Sequence, residues 1–296
     1  RWVVVARDSN LFLRPKDSTQ LERLTTDGAP GDAYAPEVHW APDSSAFFAR
    51  KVRDGSHRKV SFLEVAPTDQ IQPRLHTHTY LKPGDPLPKP VLHLFRVADR
   101  RRSRVDDTLY PNPYTEDGDL EIHWARDGRE AFFAYNERGH QRYRILAVAN
   151  PKEGPVADSS APRGLPLGWP RRGCDTSTPR VVLEETSPTF IDWTNKTWRH
   201  WLDATDELIW MSERDGWTHL WLIDRRTGAV KNQITRGNWV VREVLHVDEA
   251  RRELWFLAGG IRPGEDPYHR HLARVSLDGG QVTPLTAGDG THEWEF

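Results

Sequence analysis

One stretch, residues 208–232 (LIWMSERDGWTHLWLIDRRTGAVKN), restricts the folds open to this chain more than any other part of the sequence. Two apolar runs, 208–211 and 220–223, are separated by the polar segment SERDG, and a second turn at Gly228 leads into another strand-like run. Short apolar runs joined by tight polar turns that contain glycine are typical of β-hairpins. The stretch therefore predicts three consecutive antiparallel strands.

The same pattern recurs along the chain. The tripeptide His-Trp-Ala, a turn and then Ala-Phe-Phe-Ala occur twice, beginning at His39 and at His123. Other units close on Leu-Thr or Ile-Thr shortly before a glycine, at Thr25, Thr235 and Thr286. Repeats of about 40–50 residues with four strands each are typical of β-propeller blades, and the chain holds about five such units, the first incomplete. A β-sandwich is less favoured because the repeat is internal.

We therefore predict an all-β chain, a β-propeller of four-stranded antiparallel blades that forms a single domain or segment over residues 1–296. Proline-rich stretches predict loop insertions near 66–90 and 151–179. The sequence shows no helical periodicity, so no α/β-hydrolase domain is expected within it.

Composition excludes several classes of protein. The net charge of -2 and pI of 6.7 argue against nucleic acid as a partner. No apolar run approaches the roughly 18 residues of a membrane span. The single cysteine, Cys174, excludes an internal disulfide and a cysteine-based zinc site, and without a histidine partner it predicts no functional thiol. Arg1 lies within a strand-like run, so we expect a piece of a longer chain; a secreted or periplasmic location is favoured and a cytoplasmic one stays open.

No catalytic residue is predicted. The nucleophile elbow Gly-x-Ser-x-Gly does not occur in the sequence. The Ser-x-x-Lys match at Ser56 and Lys59 lies in a polar segment beside Gly55, which predicts a hairpin turn. Substrate-binding residues are not assigned.

No metal and no cofactor are predicted either. The pairs His76 and His78, and His269 and His271, would each share one face of a strand, but neither has further ligands at motif spacing. Exposed or hydrogen-bonded histidines are the favoured interpretation.

Charged clusters are interpreted as surface features. Glu184 and Glu185 are adjacent, so on a strand they would point to opposite faces. Asp117 and Asp119 lack the rest of a calcium loop. The basic run at 100–104 is followed at once by two aspartates, which predicts a solvated loop rather than a phosphate site.

Asn195 begins an Asn-Lys-Thr sequon, usable only in a secreted eukaryotic protein. Most tryptophans fall in predicted strands, where packing between blades explains them better than ligand stacking does, at Trp40, Trp124, Trp210, Trp221 and Trp255.

Several of these segments together resemble the amino-terminal propeller of the dipeptidyl peptidase IV group, within the prolyl oligopeptidase family of serine peptidases. The similarity runs from about Asn10 to Phe296. The segments that carry it are SERDGW at 212–217, His219-Leu220, Gln233-Ile234-Thr235, the Gly237–Trp239 step, WAPD at 40–43, YLKPGDP at 80–86 and DGTH at 289–292.

The resemblance implies a partial set of an eight-bladed, non-catalytic propeller. Such a propeller covers a carboxy-terminal α/β-hydrolase domain, which bears the Ser, Asp and His, and it controls the access of peptide substrates. The hydrolase domain and peptides are therefore the expected partners, with a homodimer left open.

One departure affects specificity. Dipeptidyl peptidases of this group hold the substrate's free amine with adjacent glutamates before the strand that corresponds to residues 37–40. Here residues 28–37 read GAPGDAYAPE and offer at most Asp32 and Glu37. A cationic amine needs anionic hydrogen-bond acceptors, so the sequence does not support dipeptide-releasing specificity.

Two alternatives belong to other classes. A stand-alone interaction propeller, like WD-repeat or TolB-like proteins, would need no hydrolase domain. A propeller glycosidase or lyase would need clustered carboxylates at suitable spacing, and none is apparent.

Overall fold

The computed structural model describes residues 1–115, 120–150 and 175–292, and every regular element in these ranges is a β-strand. The all-β prediction is therefore confirmed. The chain divides into two compact units. The first comprises Arg1–Thr108, Asp127–Arg129 and Ala149–Thr178, and the second comprises Leu109–Arg126, Glu130–Val148 and Pro179–Phe296.

The first unit contains a three-stranded sheet, a five-stranded sheet and a separate hairpin. The three-stranded sheet is formed by β1 (Trp2–Arg7), β2 (Asn10–Pro15) and β3 (Glu22–Arg23). The larger sheet is formed, from one edge, by β4 (Asp32–Trp40), β5 (Ala46–Arg53), β8 (Lys89–Arg96), β9 (Arg102–Val105) and β13 (Asp175–Ser177). The hairpin consists of β6 (Lys59–Glu64) and β7 (Arg74–Thr79).

The second unit contains three four-stranded sheets. The first is formed by β10 (His123–Trp124), β11 (Glu130–Asn136), β12 (Arg142–Ala149) and β14 (Arg180–Thr186). The second is formed by β15 (Arg199–Leu202), β16 (Glu207–Ser212), β17 (His219–Asp224) and β18 (Val230–Gln233). The third is formed by β19 (Val240–Asp248), β20 (Glu253–Gly259), β21 (Arg270–Ser276) and β22 (Thr283–Pro284). The predicted four-stranded antiparallel blades are thus present, and the three-stranded first sheet matches the unit expected to be incomplete.

The stretch 208–232 forms most of β16, all of β17 and most of β18, as its pattern predicts. Leu208 pairs with Ile223 and Trp210 with Trp221, so apolar side chains oppose each other across the hairpin. The turn before β18 requires glycine at position 228, where φ is 75° and a Cβ would lie 1.9 Å from the Val182 carbonyl oxygen. The sequence pattern that predicts these hairpins is local, and the strands form where it places them.

Apolar faces of neighbouring sheets form the cores within each unit. In the first unit, Leu11 and Leu13 of the three-stranded sheet cluster with Phe47 and Phe95 of the larger sheet. In the second unit, one core joins the first two sheets and includes Trp210, and another joins the second and third sheets and includes Phe256. The tryptophan at 210 is fully buried, so it serves packing between blades as predicted.

The repeated Leu-Thr or Ile-Thr ending before a glycine has a physical basis, which the first sheet shows. The Thr25 hydroxyl accepts a hydrogen bond from the Leu11 N–H at 2.9 Å and donates to Asn10 Oδ1 at 3.0 Å. Asn10 Oδ1 also accepts the Gly28 N–H at 3.0 Å. The threonine therefore satisfies a buried main-chain donor and ties the end of the blade to the strand beside it.

Later sheets repeat this arrangement with histidine in place of asparagine. The Thr235 hydroxyl accepts the Leu220 N–H at 3.0 Å and lies 3.0 Å from His219 Nδ1. Thr286 lies 3.4 Å from His271 Nδ1 in the third sheet. The sequence repeat is thus a recurring polar closure of the blade.

Three expectations need correction. The basic run predicted as a loop contributes Arg102 and Arg104 to strand β9, because these residues pair with Phe95 and His93 of β8. Ser56 lies in an irregular segment that leads into β6 rather than in a hairpin turn. An unforeseen strand, β13, pairs with β9 in parallel.

The stretch predicted as an insertion near 66–90 includes strand β7. Strands β5 and β8 pair directly, so the hairpin leaves the sheet between two neighbouring strands. Most of the stretch 151–179, together with Cys174, Asp117 and Asp119, lies outside the described residues.

Candidate functional site

The segment that the resemblance singles out for amine recognition forms a bulge in strand β4. Three residues, 35–37, stand opposite the single residue Arg50. Pro36 lacks the N–H that a regular ladder would use, and bulges on edge strands are where proline is tolerated. Pro36 and Glu37 are exposed on this bulge. Regular pairing continues on either side, with Tyr34 opposite Lys51 and Val38 opposite Ala49.

Both acidic side chains of this segment face cations. Asp32 Oδ2 lies 3.0 Å from Lys51 Nζ, and Glu37 Oε2 lies 3.8 Å from Arg50 Nη2. The Arg50 side chain is only 8% exposed, whereas that of Glu37 is 61% exposed. A ligand amine would have to compete with lysine and arginine for these carboxylates. The bulge is therefore a poor anionic receptor.

A second set of polar groups lies where the loop after β3 meets the larger sheet. The Asp27 carboxylate accepts hydrogen bonds from Arg102 at 2.7 Å and from the Tyr34 hydroxyl at 3.2 Å. Lys51 Nζ donates to the Asp27 carbonyl oxygen at 2.7 Å. Lysine and arginine from two strands thus balance the aspartates Asp27 and Asp32.

The ionisation of this cluster follows from its burial. For Asp27, burial opposes ionisation, but the hydrogen bond and charge of Arg102 outweigh it, and the pKa is lowered. Burial raises the pKa of Tyr34, so the phenol stays protonated. Burial and the nearby Arg102 charge lower the pKa of His93 to about 4, which leaves a neutral imidazole at neutral pH. The cluster therefore carries no excess negative charge to hold a cation.

Three of the four histidines in the predicted pairs lie beside acidic side chains that sequence spacing did not indicate. His76 Nε2 lies 2.7 Å from Glu64 Oε2, and His78 shares the face of β7 with it, as predicted. The second pair does not share a strand face, because His269 precedes β21 while His271 lies inside it.

In the second pair, His269 lies 2.9 Å from Asp289, and His271 lies 2.8 Å from Glu265. In the described part of the chain, no three His, Cys, Asp or Glu side chains converge as metal ligands would.

The adjacent glutamates point apart, as the strand geometry requires. Glu184 contacts Arg144 on one face of β14. On the other face, Glu185 Oε1 accepts the Trp210 indole N–H at 2.8 Å and binds Arg214 at 2.5 Å. Neither forms a paired-carboxylate site.

The basic run is neutralised residue by residue. Arg100 pairs with Glu22, Arg101 with Asp99, Arg102 with Asp27 and Arg104 with Asp107. Asn195 of the sequon is exposed, whereas the Thr197 hydroxyl donates to the Trp193 carbonyl oxygen at 2.7 Å.

Two buried ionic networks in the second unit escaped the sequence analysis. Arg225 is 1% exposed, and its guanidinium binds Asp203 at 2.5 Å and Asp206 at 3.1 Å. Glu207 is 2% exposed and accepts hydrogen bonds from Thr205 at 2.6 Å and Arg252 at 2.9 Å. Arg225, Arg252 and the two aspartates lie in turns, and Glu207 is the first residue of β16. Charged residues at such positions are usually solvated, so no pattern in the sequence indicates these networks.

The hairpin β6–β7 carries the most exposed apolar surface in the first unit. Leu63 and Leu75 pair across it and are 55% and 67% exposed. Other apolar side chains more than half exposed on it or its flanks are Phe62, Val65, Ile71 and Tyr80. In the described ranges, no helix is both long enough and apolar enough to cross a bilayer.

Repeated four-stranded antiparallel sheets, apolar between their faces and closed by polar ties, define this chain as a β-propeller region. A family model described as "Dipeptidyl peptidase IV (DPP IV) N-terminal region" matches residues 1–296. The chain belongs to this family.

Known relatives agree with this assignment. The chain is 24% identical to a probable dipeptidyl-aminopeptidase B of Penicillium rubens over 96% of its length and 32% of that protein. It is 25% identical to one from Coccidioides posadasii, over 96% of the chain and 31% of that protein. The crystal structure of Porphyromonas gingivalis dipeptidyl peptidase 4 superposes with a TM-score of 0.63 at 22% identity, covering 98% of this chain and 38% of that one. The chain thus spans about a third of the length of the curated relatives it matches.

Proposed function

We propose that this chain is the non-catalytic, substrate-gating propeller region of a dipeptidyl peptidase IV-like serine peptidase. The observation that carries the proposal is the family match across all 296 residues, on a chain built of blade-type sheets. The parent protein would hold its nucleophile in a carboxy-terminal α/β-hydrolase domain. The propeller, a single domain in this proposal, would admit peptides and exclude folded proteins by size.

A steric filter needs no reactive group of its own, and the described residues fit that role. The ionisable clusters described above are paired acids and bases. A stand-alone interaction propeller remains the second candidate, but the length of the relatives favours a larger enzyme.

We further propose that peptide hydrolysis by the parent protein does not require a free amino terminus on the substrate. Lys51 and Arg50 already engage the carboxylates of Asp32 and Glu37. The amine of a bound substrate would therefore gain little binding energy from these carboxylates, because each carboxylate would exchange one positively charged partner for another.

The test compares residues 1–296 with the full-length protein on Xaa-Pro chromogenic peptides whose amino termini are free or acetylated. We expect no turnover by the isolated chain. We expect the full-length protein to hydrolyse free and acetylated peptides with kcat/KM values within about tenfold of each other, a difference of no more than about 1.4 kcal/mol in activation free energy. Glu37→Gln serves as the matched variant and should leave this ratio unchanged. Hydrolysis by the isolated chain would refute the non-catalytic role, and strict dependence on a free amine would refute the specificity.

We also propose that the β6–β7 hairpin supports a homodimer. Its apolar residues Leu63 and Leu75 lie beside both signs of charge, Arg74 and Glu64, so the surface can complement a second copy of itself across a two-fold axis. The double variant L63D/L75D should be monomeric by sedimentation at concentrations where the parent sequence dimerises. Val230→Asp, at an exposed apolar position in the second unit, is the control and should leave the dimer intact. If the protein without these substitutions stays monomeric at high concentration, the proposal is wrong.

A further inference from the structure

The two histidines of strand β7 lie two positions apart on one face of a regular hairpin. His76 pairs with Phe62 and His78 with Val60, and the register of the hairpin is unbroken. Both imidazoles contact the Phe62 ring, His76 by stacking with 5.0 Å between ring centroids and His78 edge-on at 5.8 Å. The strand therefore presents the two imidazoles side by side, with their Cα atoms about 7 Å apart.

The Glu64 carboxylate determines which nitrogen of His76 is free. Its Oε2 atom lies 2.7 Å from His76 Nε2. Because an ionised carboxylate only accepts hydrogen bonds, Nε2 carries the proton, and in the neutral imidazole Nδ1 keeps its lone pair. A histidine that binds a metal usually donates its other N–H to a carboxylate in this way, which fixes the orientation of the ring.

The second imidazole is open to a ligand. His78 is exposed, and within the described ranges it makes ring contacts with Phe62 and Tyr80 but no hydrogen bond or ion pair. The cation beside Glu64 does not oppose a metal ion strongly, because Arg74 is also bound by Asp69 at 2.7 Å. This face of the hairpin thus offers two imidazole nitrogens and a carboxylate that orients one of them.

We propose that His76 and His78 form a chelating site for a divalent transition-metal ion of the copper, nickel and zinc group, with Glu64 as the residue that orients His76. Imidazole nitrogen suits these metals, whereas calcium and magnesium require oxygen ligands. The chain supplies two ligands and water fills the other positions, so no third side chain has to converge. The inference rests on the geometry of the hairpin and not on the proposed function, since Leu63 and Leu75 lie on the opposite face.

The other histidine pair has the same spacing in sequence but a different setting. His269 precedes its strand and lies 2.9 Å from Asp289. The His271 side chain is only 2% exposed and lies 2.8 Å from Glu265. These two imidazoles do not share a strand face and each already has an acidic partner, so we expect no metal chelation by this pair.

Calorimetric titration of the full-length protein, without an affinity tag, with CuCl₂, NiCl₂ or ZnCl₂ tests the site. We expect one metal ion per chain at this site, with Cu²⁺ bound more tightly than Ni²⁺ or Zn²⁺. Glu64→Gln should weaken binding about tenfold, the lower end of the usual effect of losing a carboxylate behind a ligating histidine. His78→Gln should weaken binding further, because it removes a ligand.

Two variants separate chelation from the mere presence of histidine. Thr77→His combined with His78→Thr keeps the number of histidines but puts neighbours on opposite faces of the strand, so it should bind as weakly as His78→Gln. His269→Gln should bind as the wild type does. Electron paramagnetic resonance of bound Cu²⁺ should show nitrogen couplings from two imidazoles in the wild type and from one in His78→Gln.

The outcomes that would overturn the proposal are distinct. Binding that is unchanged in His78→Gln, or retained when the histidine is moved to position 77, would show that the shared face does not matter. An equal loss in His269→Gln would place the metal at the other pair. One metal ion for every two chains would show a bridge between copies and refute the chelate within one chain.

Discussion

Replacing Arg225 with alanine is expected to destabilise the second unit by about 3 kcal/mol, in the range observed when one partner of a buried ion pair is removed. The guanidinium is almost fully buried and binds both Asp203 and Asp206. It also lies 4.8 Å from the Phe132 ring centroid and 5.8 Å from that of Trp201. Alanine would leave two carboxylates without their shared cation and a void between aromatic rings. Urea unfolding of the wild type and variant measures the difference.

The adjacent residue provides the control for this prediction. Arg226 contacts the same Asp206, but its side chain is 77% exposed. Exposed ion pairs contribute about 0–1 kcal/mol, so Arg226→Ala should change the free energy of unfolding by less than about 1 kcal/mol. Equal effects of the two substitutions would show that burial of Arg225 does not matter.

Glu207→Gln is expected to cost about 3 kcal/mol at neutral pH, because two cations would then face a neutral amide at a buried position. Burial alone would raise the pKa of Glu207, but hydrogen bonds from Arg252, Lys231 and Thr205 outweigh it and lower the pKa. A carboxylate with a lowered folded-state pKa adds stability that is present above its unfolded pKa and is lost as the pH falls through the folded value. Stability of the wild type should therefore decline below about pH 4, the usual range for a glutamate.

The stability of the Gln variant should fall less at low pH than that of the wild type, because glutamine at this position has no carboxylate to protonate. Unfolding curves between pH 3 and pH 7 would show a flatter dependence than for the wild type. Asp278→Asn is the matched control, because Asp278 shares Arg252 but its side chain is 62% exposed. Its effect should stay within about 1 kcal/mol. A Gln variant with the same pH dependence as the wild type would contradict the role of Glu207.

Blade-type strands could be predicted because their signals act over a few residues. The hairpins at 208–232 were visible as apolar runs broken by Gly216 and Gly228, and the strands pair as expected. The Leu-Thr endings also pointed to a repeat, although the hydrogen bond from the Leu220 N–H to Thr235 became apparent only in the structure.

The candidate site was predictable only in part. The absence of a glutamate pair before residue 37 was plain from the sequence. The bulge opposite Arg50, and the contacts of Lys51 and Arg102 with Asp27, depend on strand register and on how a loop meets a sheet. The spacing of apolar residues along the chain indicates neither the strand register nor the position of that loop.

The sequence by itself determined that the chain is a series of antiparallel blades, because alternation and turn chemistry are local and repeat along the chain. Only the tertiary structure decided which charges meet, since Glu207 and Arg252 lie 45 positions apart and come together through the stacking of two sheets. It also decided which strands are neighbours, because a strand's polar edge is satisfied by a partner whose identity the strand's own residues do not specify.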